Sequence, residues 1–171
     1  MLAVYDNLCK SFQQTWIRNL HNDSRNPGSG KNKLRTYRIF KTSFHLENYL
    51  LDIRNFTYRR WLTKLRISDH NLQIELGRRS IPKVPANERF CKYCKSLVED
   101  EFHYVMICPK YCTYREMLFS SIISCYPGFI DLDDKEKFIY IFTQRDKLPL
   151  VKYISSTLIS PSAAAPVTNT C

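Results

Sequence analysis

Three cysteines and one histidine within eighteen positions carry the most chemistry in this chain: Cys91, Cys94, His103 and Cys108, spaced Cys-x2-Cys-x8-His-x4-Cys. A close Cys-x-x-Cys pair followed by a distant His/Cys pair is how one chain builds a tetrahedral Cys3His site for a closed, structural zinc ion. The first pair suits a tight turn whose backbone N–H groups point at the thiolates. The second pair sits in Glu99 to Cys108, which reads as a short helix entered through acidic residues and stopped before Pro109. On an ideal helix His103 and Cys108 stand about 140° apart. The helix must therefore end or distort near Cys108, and Pro109 supplies a reason. Two plainer uses of cysteine compete with metal binding, namely small buried hydrophobes and disulfides in a secreted protein. Cys112 is the rival for the fourth position, with a poorer spacing. The expected cofactor is one structural Zn2+.

The rest of the composition bears on what surrounds that site. Over 171 residues the chain is 44% hydrophobic and 13% aromatic, with only four glycines, which favours helices over strands joined by tight turns. The N-terminus lacks the basic start and apolar core of a signal peptide, and no run is long and apolar enough to span a membrane. Seven cysteines without a secretory address favour metal over disulfides. An intracellular location, nucleus or cytoplasm, is expected. Net charge is +10, unevenly spread. From Arg25 to Lys95 seventeen Lys/Arg face five Asp/Glu, a net of +12, while the remainder is −2. Such asymmetry points to a polyanionic partner.

The elements that must position these residues read as mainly α, a small helical domain with an irregular Cys3His turn-plus-helix. Residues 1–21 form an amphipathic helix with Tyr5, Leu8, Phe12, Trp16 and Leu20 on one stripe, where Phe12 and Trp16 are expected in core or helix contacts. Residues 22–32 read as a linker. Its Gly28-Ser-Gly30-Lys31 fails the phosphate-loop pattern, because Arg25 and Asn32 stand where glycine and Ser/Thr are needed. Residues 33–88 form a basic helical region, with a helix from Lys33 to Leu51 and another from Asn55 to Ile67. A short helix follows, with Ser68 as N-cap and Gly77 at its C-terminal end. His70 is expected as a satisfied structural group, with a metal-supporting or phosphate-contact role as the alternative. Residues 89–115 carry the metal motif and 116–158 the last helices. Asp133-Asp134 reads as a helix start rather than a catalytic pair. Residues 159–171 read as a disordered tail.

Lys33-Leu-Arg-Thr-Tyr37, Leu65-Arg-Ile-Ser-Asp-His-Asn-Leu-Gln-Ile-Glu-Leu-Gly-Arg78 and the string from Arg89 through Cys91, Cys94, His103 and Cys108 to Tyr111 and Arg115 form a combined pattern. Over about Lys33 to Ile154 this pattern resembles the C-terminal region of LINE-type (non-LTR) retrotransposon reverse transcriptases. The resemblance implies a Cys-Cys-His-Cys zinc motif at Cys91, Cys94, His103 and Cys108. It also implies a role in gripping element RNA or target DNA beside a polymerase domain. The finger-palm segment, the aromatic-Ala-Asp-Asp strand and the endonuclease of that family have no counterpart in this sequence. The expected chain is thus a severed C-terminal fragment or a host protein derived from one, and not an enzyme.

The expected function is a zinc-stabilised module that grips RNA or DNA backbone. The residues expected to contact phosphates are Lys33, Arg35, Arg38, Lys41, Arg59, Arg60, Lys64, Arg66, Arg78, Arg79, Arg89, Lys92 and Lys95. Tyr37 and Tyr93 are candidates for stacking on unpaired bases, though packing is the commoner use. The acidic run Glu99 to Glu101 is expected to repel anions from its side of the motif. A docking domain that packs on a polymerase domain is the competing reading.

Overall fold

The computed structural model describes residues 2–21 and 34–159. The expected linker 22–32, Lys33 and residues 160–171 of the expected tail lie outside the described residues. The chain is mainly helical, and among the described residues there is no strand; Phe90 and Val98 form one isolated antiparallel bridge. Eight α-helices appear among the described residues: α1 (Leu2–His21), α2 (Tyr37–Phe40), α3 (Tyr49–Asp52), α4 (Phe56–Arg66), α5 (Gln73–Arg79), α6 (Cys112–Ile123), α7 (Asp134–Thr143) and α8 (Leu148–Ile154).

Local chemistry sets several of these boundaries. Asn55 caps α4, its side chain accepting the Tyr58 N–H at 3.1 Å. Asp133 and Glu136 close a reciprocal capping box on α7, with bonds of 2.8 and 3.0 Å. The aspartate pair is therefore a helix start, as the sequence pattern suggests. Asp146 accepts the first N–H of α8 at 2.9 Å, and Pro149 occupies the first turn, where no N–H is needed.

The core is built on α8, which packs against both α4 and α6. Leu150, Val151, Tyr153 and Ile154 are buried there against Leu62 and Leu65 of α4 and Leu118 and Ile122 of α6. Phe138, Ile141 and Phe142 of α7 close it, with Phe142 stacked on Phe40 of α2 at 4.3 Å. Burying each such side chain contributes about 1.5–3 kcal/mol. The buried row of α6 is Arg115, Leu118 and Ile122, while Met117 faces out.

Three expected elements differ. The helix from Lys33 to Leu51 is two single turns, α2 and α3, separated by residues 41–48. Lys41 turns back to pair with Glu47, and Phe44 packs on Trp16, so neither continues the helical stripe. Ser68 is not an N-cap: it sits at φ 55° inside a turn and α5 begins at Gln73, with Gly77 inside the helix. In α1 the stripe exists but only its end meets the fold. Leu20 is buried and Trp16 contacts Phe44 at 5.5 Å, whereas Phe12, expected in a packed contact, is 68% exposed.

Candidate metal centre

Cys91 and Cys94 lie on a turn held at its base by the Phe90/Val98 bridge. The Cys91 N–H bonds the Leu97 carbonyl at 2.8 Å, and Lys95 N–H returns to the Cys91 carbonyl at 2.9 Å. Lys95 takes φ 58°, the left-handed conformation that lets so short a loop close. The turn aims amides at sulfur. Those of Tyr93 and Cys94 reach Cys91, those of Ser96 and Leu97 reach Cys94, and that of Lys110 reaches Cys108. Oriented N–H dipoles of this kind stabilise negative sulfur.

His103 and Cys108 come together because the helix changes type between them. Residues His103–Ile107 form a π-helical turn, closed by an i→i+5 bond from the Cys108 N–H to the His103 carbonyl at 2.8 Å. An ordinary α-turn would leave the two side chains on different sides; the wider turn returns Cys108 to the side of His103. Pro109, without an N–H, ends it. Asp100 starts the segment, its carboxylate accepting the His103 N–H at 2.8 Å. Tyr104 and Val105, wholly buried, fasten the turn to the core. Tyr153 donates to the Tyr104 carbonyl at 2.7 Å, and the Tyr104 hydroxyl bonds Thr157.

Ligand atoms of Cys91, Cys94 and His103 all lie within 4.8 Å of one another, so these three form a group that could hold a metal ion. Cys108 Sγ is 3.8 Å from Cys91 Sγ, and His103 Nε2 is 3.5 Å from Cys94 Sγ. A tetrahedral ion with metal–sulfur bonds of about 2.3 Å and metal–nitrogen bonds of about 2.0 Å requires sulfur–sulfur edges of about 3.8 Å and sulfur–nitrogen edges of about 3.5 Å. Both measured edges fit that geometry, but Cys108, close to Cys91, stands outside the group of three whose ligand atoms all lie within 4.8 Å of one another. His103 Nδ1 is buried with no hydrogen-bond partner among the described residues.

The thiols at the centre are free, not bridged. Burial pushes Cys91 up despite its amides, and pushes Cys108 up to about 12. Cys94 is also penalised by burial, but the Ser96 hydroxyl and the Ser96 and Leu97 amides outweigh it and draw its thiol down. Burial lowers His103, keeping the imidazole neutral and available as a ligand. Metal entry must therefore displace thiol protons. Cys112, the rival fourth ligand, begins α6 with its sulfur 3.6 Å from Glu116.

The acidic run beside the motif is largely turned inward. Glu101, 1% exposed, accepts from Ser68 Oγ at 2.6 Å, His70 Nε2 at 2.8 Å and Arg35 Nη2 at 2.6 Å. Glu99 accepts the Gln73 N–H at 2.9 Å. His70 is thus a satisfied structural group. Ser68, His70 and Glu101 are no nucleophile triad, because the serine and histidine both bond the carboxylate and all three are buried.

Of the thirteen expected phosphate contacts, Lys33 lies outside the described residues, and several others serve the fold. Arg35 bridges Glu75 and Glu101, Arg78 pairs with Glu75, and Lys41 and Arg66 share Glu47. Arg59 bonds the carbonyls of Leu50 and Ile53, and Arg89 those of Ile74 and Val84. Arg60, Lys92 and Lys95 are exposed, with Arg38 and Lys64 partly so; Arg79 is exposed too, but its guanidinium bonds the His70 and Glu75 carbonyls. Tyr93 and Phe90 are exposed on the metal turn itself, and Tyr37 is half-buried. Of the buried acids that collect these arginines, Glu75 pairs with Arg78 at the local i,i+3 spacing of a helix, whereas the contacts of Arg35 with Glu75 and Glu101 carry no local sequence signal.

No protein-family model, no curated protein and no solved structure matches the chain. Among the described residues no helix is long and apolar enough to cross a membrane.

Proposed function

We propose that this chain is a zinc-stabilised module that grips single-stranded RNA or DNA without catalysing a reaction. The carrying observation is the exposed surface of the Cys/His turn, where Lys92 and Lys95 flank Tyr93, with Phe90 exposed beside them. Cations for phosphates and aromatic faces for unpaired bases are the two parts of a single-strand site. The metal is Zn2+, held by Cys91, Cys94, His103 and Cys108. Three thiolates and an imidazole are a soft, tetrahedral donor set, and with four protein ligands no position stays open for substrate. The ion ties the turn to the π-turn, so its loss releases the surface that presents Lys92 to Lys95.

The charge excess from Arg25 to Lys95 supports the same reading. So does the resemblance of 33–154 to the C-terminal regions of LINE-type reverse transcriptases. The second reading, a docking domain for a polymerase, draws on α1, where Val4, Tyr5, Leu8 and Phe12 stand exposed. A filter-binding titration of the zinc-loaded chain against RNA and DNA oligonucleotides at two salt concentrations separates the two. Four or five exposed cations predict a log–log salt slope of roughly −3, at about −0.7 per phosphate on a single strand. Lys92→Glu with Lys95→Glu is expected to weaken binding about tenfold or more. Absence of binding at low salt overturns the proposal and leaves the docking domain.

A further inference from the structure

A cavity of about 260 Å3 lies between the loop 41–48, the end of α4 and the end of α7, and its walls are unusually cationic. Lys41, Arg66 and Lys147 line it and are 6%, 2% and 8% exposed. Glu47 is the one acid in the lining, bonded at 3.1 Å both to Lys41 Nζ and to Arg66 Nη2. Three buried cations face one carboxylate in the lining, and Asp146, exposed outside it, adds a second negative charge near Lys147. Positive charge is still in excess in a desolvated place, an arrangement that costs stability unless an anion compensates it. Carbonyls take some of the donors: Phe142 accepts Arg66 Nη1 at 2.8 Å, Gln144 accepts Lys147 and His45 accepts Lys41. They supply dipoles, not a counter-charge.

Two further donors at this cavity are left over. Arg66 Nε and Gln144 Nε2 are both buried with no hydrogen-bond partner among the described residues. Buried donors without acceptors are rare and call for an explanation. The guanidinium is held in place by its Nη1 and Nη2 bonds to Phe142 and Glu47 and by contact with the rings of Phe40 and Tyr49, 5.5 and 5.3 Å from their centroids. Burial, with Arg66 close by, also holds Lys147 down at about 8. Exposed His45 and Arg145 line the same cavity, so it is reached from solvent.

We propose that this cavity is an anion site that takes one phosphate group. The phosphate oxygens accept from Arg66 Nε and Gln144 Nε2 and sit against the ammonium groups of Lys147 and Lys41. A phosphodiester of a bound strand and a free phosphate or mononucleotide share this chemistry. The site stands apart from the Cys/His turn, so it can fail while nucleic-acid binding holds, and the reverse.

The experiment follows the melting temperature of the full, zinc-loaded chain against inorganic phosphate, with sodium chloride at matched ionic strength as control. Lys147→Met and Gln144→Leu are the variants. Wild type is expected to gain stability saturably with phosphate and not with chloride, and each variant to weaken that dependence at least tenfold. Gln144→Leu removes an unpartnered donor, so it is expected to fold as well as wild type without phosphate, and it decides the matter if Lys147→Met does not fold. Equal responses to phosphate and chloride, or unchanged phosphate affinity in Gln144→Leu, overturn the site. Competition between phosphate and a single-stranded oligonucleotide identifies a strand phosphodiester as the occupant. Loss of phosphate binding in Gln144→Leu with oligonucleotide binding intact identifies free phosphate or a mononucleotide.

Discussion

Replacing Glu101 by glutamine removes one negative charge from the most densely bonded point beneath the metal turn, with little change in shape. Burial alone would raise the Glu101 carboxyl. The His70 hydrogen bond, the charges of Arg35 and His70 and the Ser68 hydroxyl more than reverse this and hold it at about 2. Against an ordinary carboxyl at 4.5, that difference corresponds to roughly 3 kcal/mol of folded-state stability. Because the folded-state value is depressed, the contribution is complete above about pH 4.5 and is lost as pH falls toward 2. Breaking a buried ion pair by removing one partner costs a similar 3–5 kcal/mol or so. Glu101→Gln is therefore expected to lose about 3 kcal/mol at pH 7, a melting temperature lower by roughly 6–12 °C for a chain of this size. Urea unfolding of zinc-loaded wild type and variant, followed by circular dichroism at pH 7 and again between pH 5 and 3, measures it. The gap between the two proteins is expected to hold down to pH 5 and to shrink below it, as the Glu101 carboxyl of the unfolded chain takes up a proton that the folded chain still excludes. A loss under about 1 kcal/mol at pH 7, or a gap that stays constant to pH 3, refutes the assignment of Glu101 as a charged hub.

Gly77→Ala is expected to destabilise by about 1 kcal/mol, although alanine is the better helix former by a similar amount. The added Cβ would lie 2.7 Å from Arg89 Cγ, and overpacking costs roughly 1–3 kcal/mol. Arg89 is pinned by bonds to the Ile74 and Val84 carbonyls, and thermal unfolding reads the result. Asp133→Ala removes the capping box of α7 and is expected to cost about 1 kcal/mol in urea unfolding. Cys108→Ser is expected to lower zinc content sharply, whereas Cys112→Ser leaves it unchanged, as elemental analysis of the purified variants would report.

The mainly helical class and the metal motif were legible because both depend on near neighbours in sequence. The spacing of His103 and Cys108 even demands a departure from the α-helix, and the π-turn is that departure. The fate of Arg35 and Arg66 was not legible, because their partners are remote. Arg35 meets Glu75 forty positions on and Glu101 sixty-six positions on, and Arg66 reaches the Phe142 carbonyl. A lysine or arginine between apolar positions reads as surface, and only the tertiary fold reveals that it has been drawn inside. The same limit explains the helix expected from Lys33 to Leu51. Its apolar period is right, but Phe44 and Lys41 find better partners in Trp16 and Glu47 than a continued helix would give them. In α1 the stripe forms as read, yet periodicity says only that a face is apolar, not that this chain supplies what covers it.

The convergence of three sulfurs and one ring nitrogen on a single ion is tested most directly by zinc K-edge X-ray absorption on the purified chain, scaled to protein concentration. One zinc per chain, with three sulfurs at about 2.3 Å and one nitrogen at about 2.0 Å, is expected. A folded chain without zinc, or an ion surrounded mainly by oxygen, would contradict it.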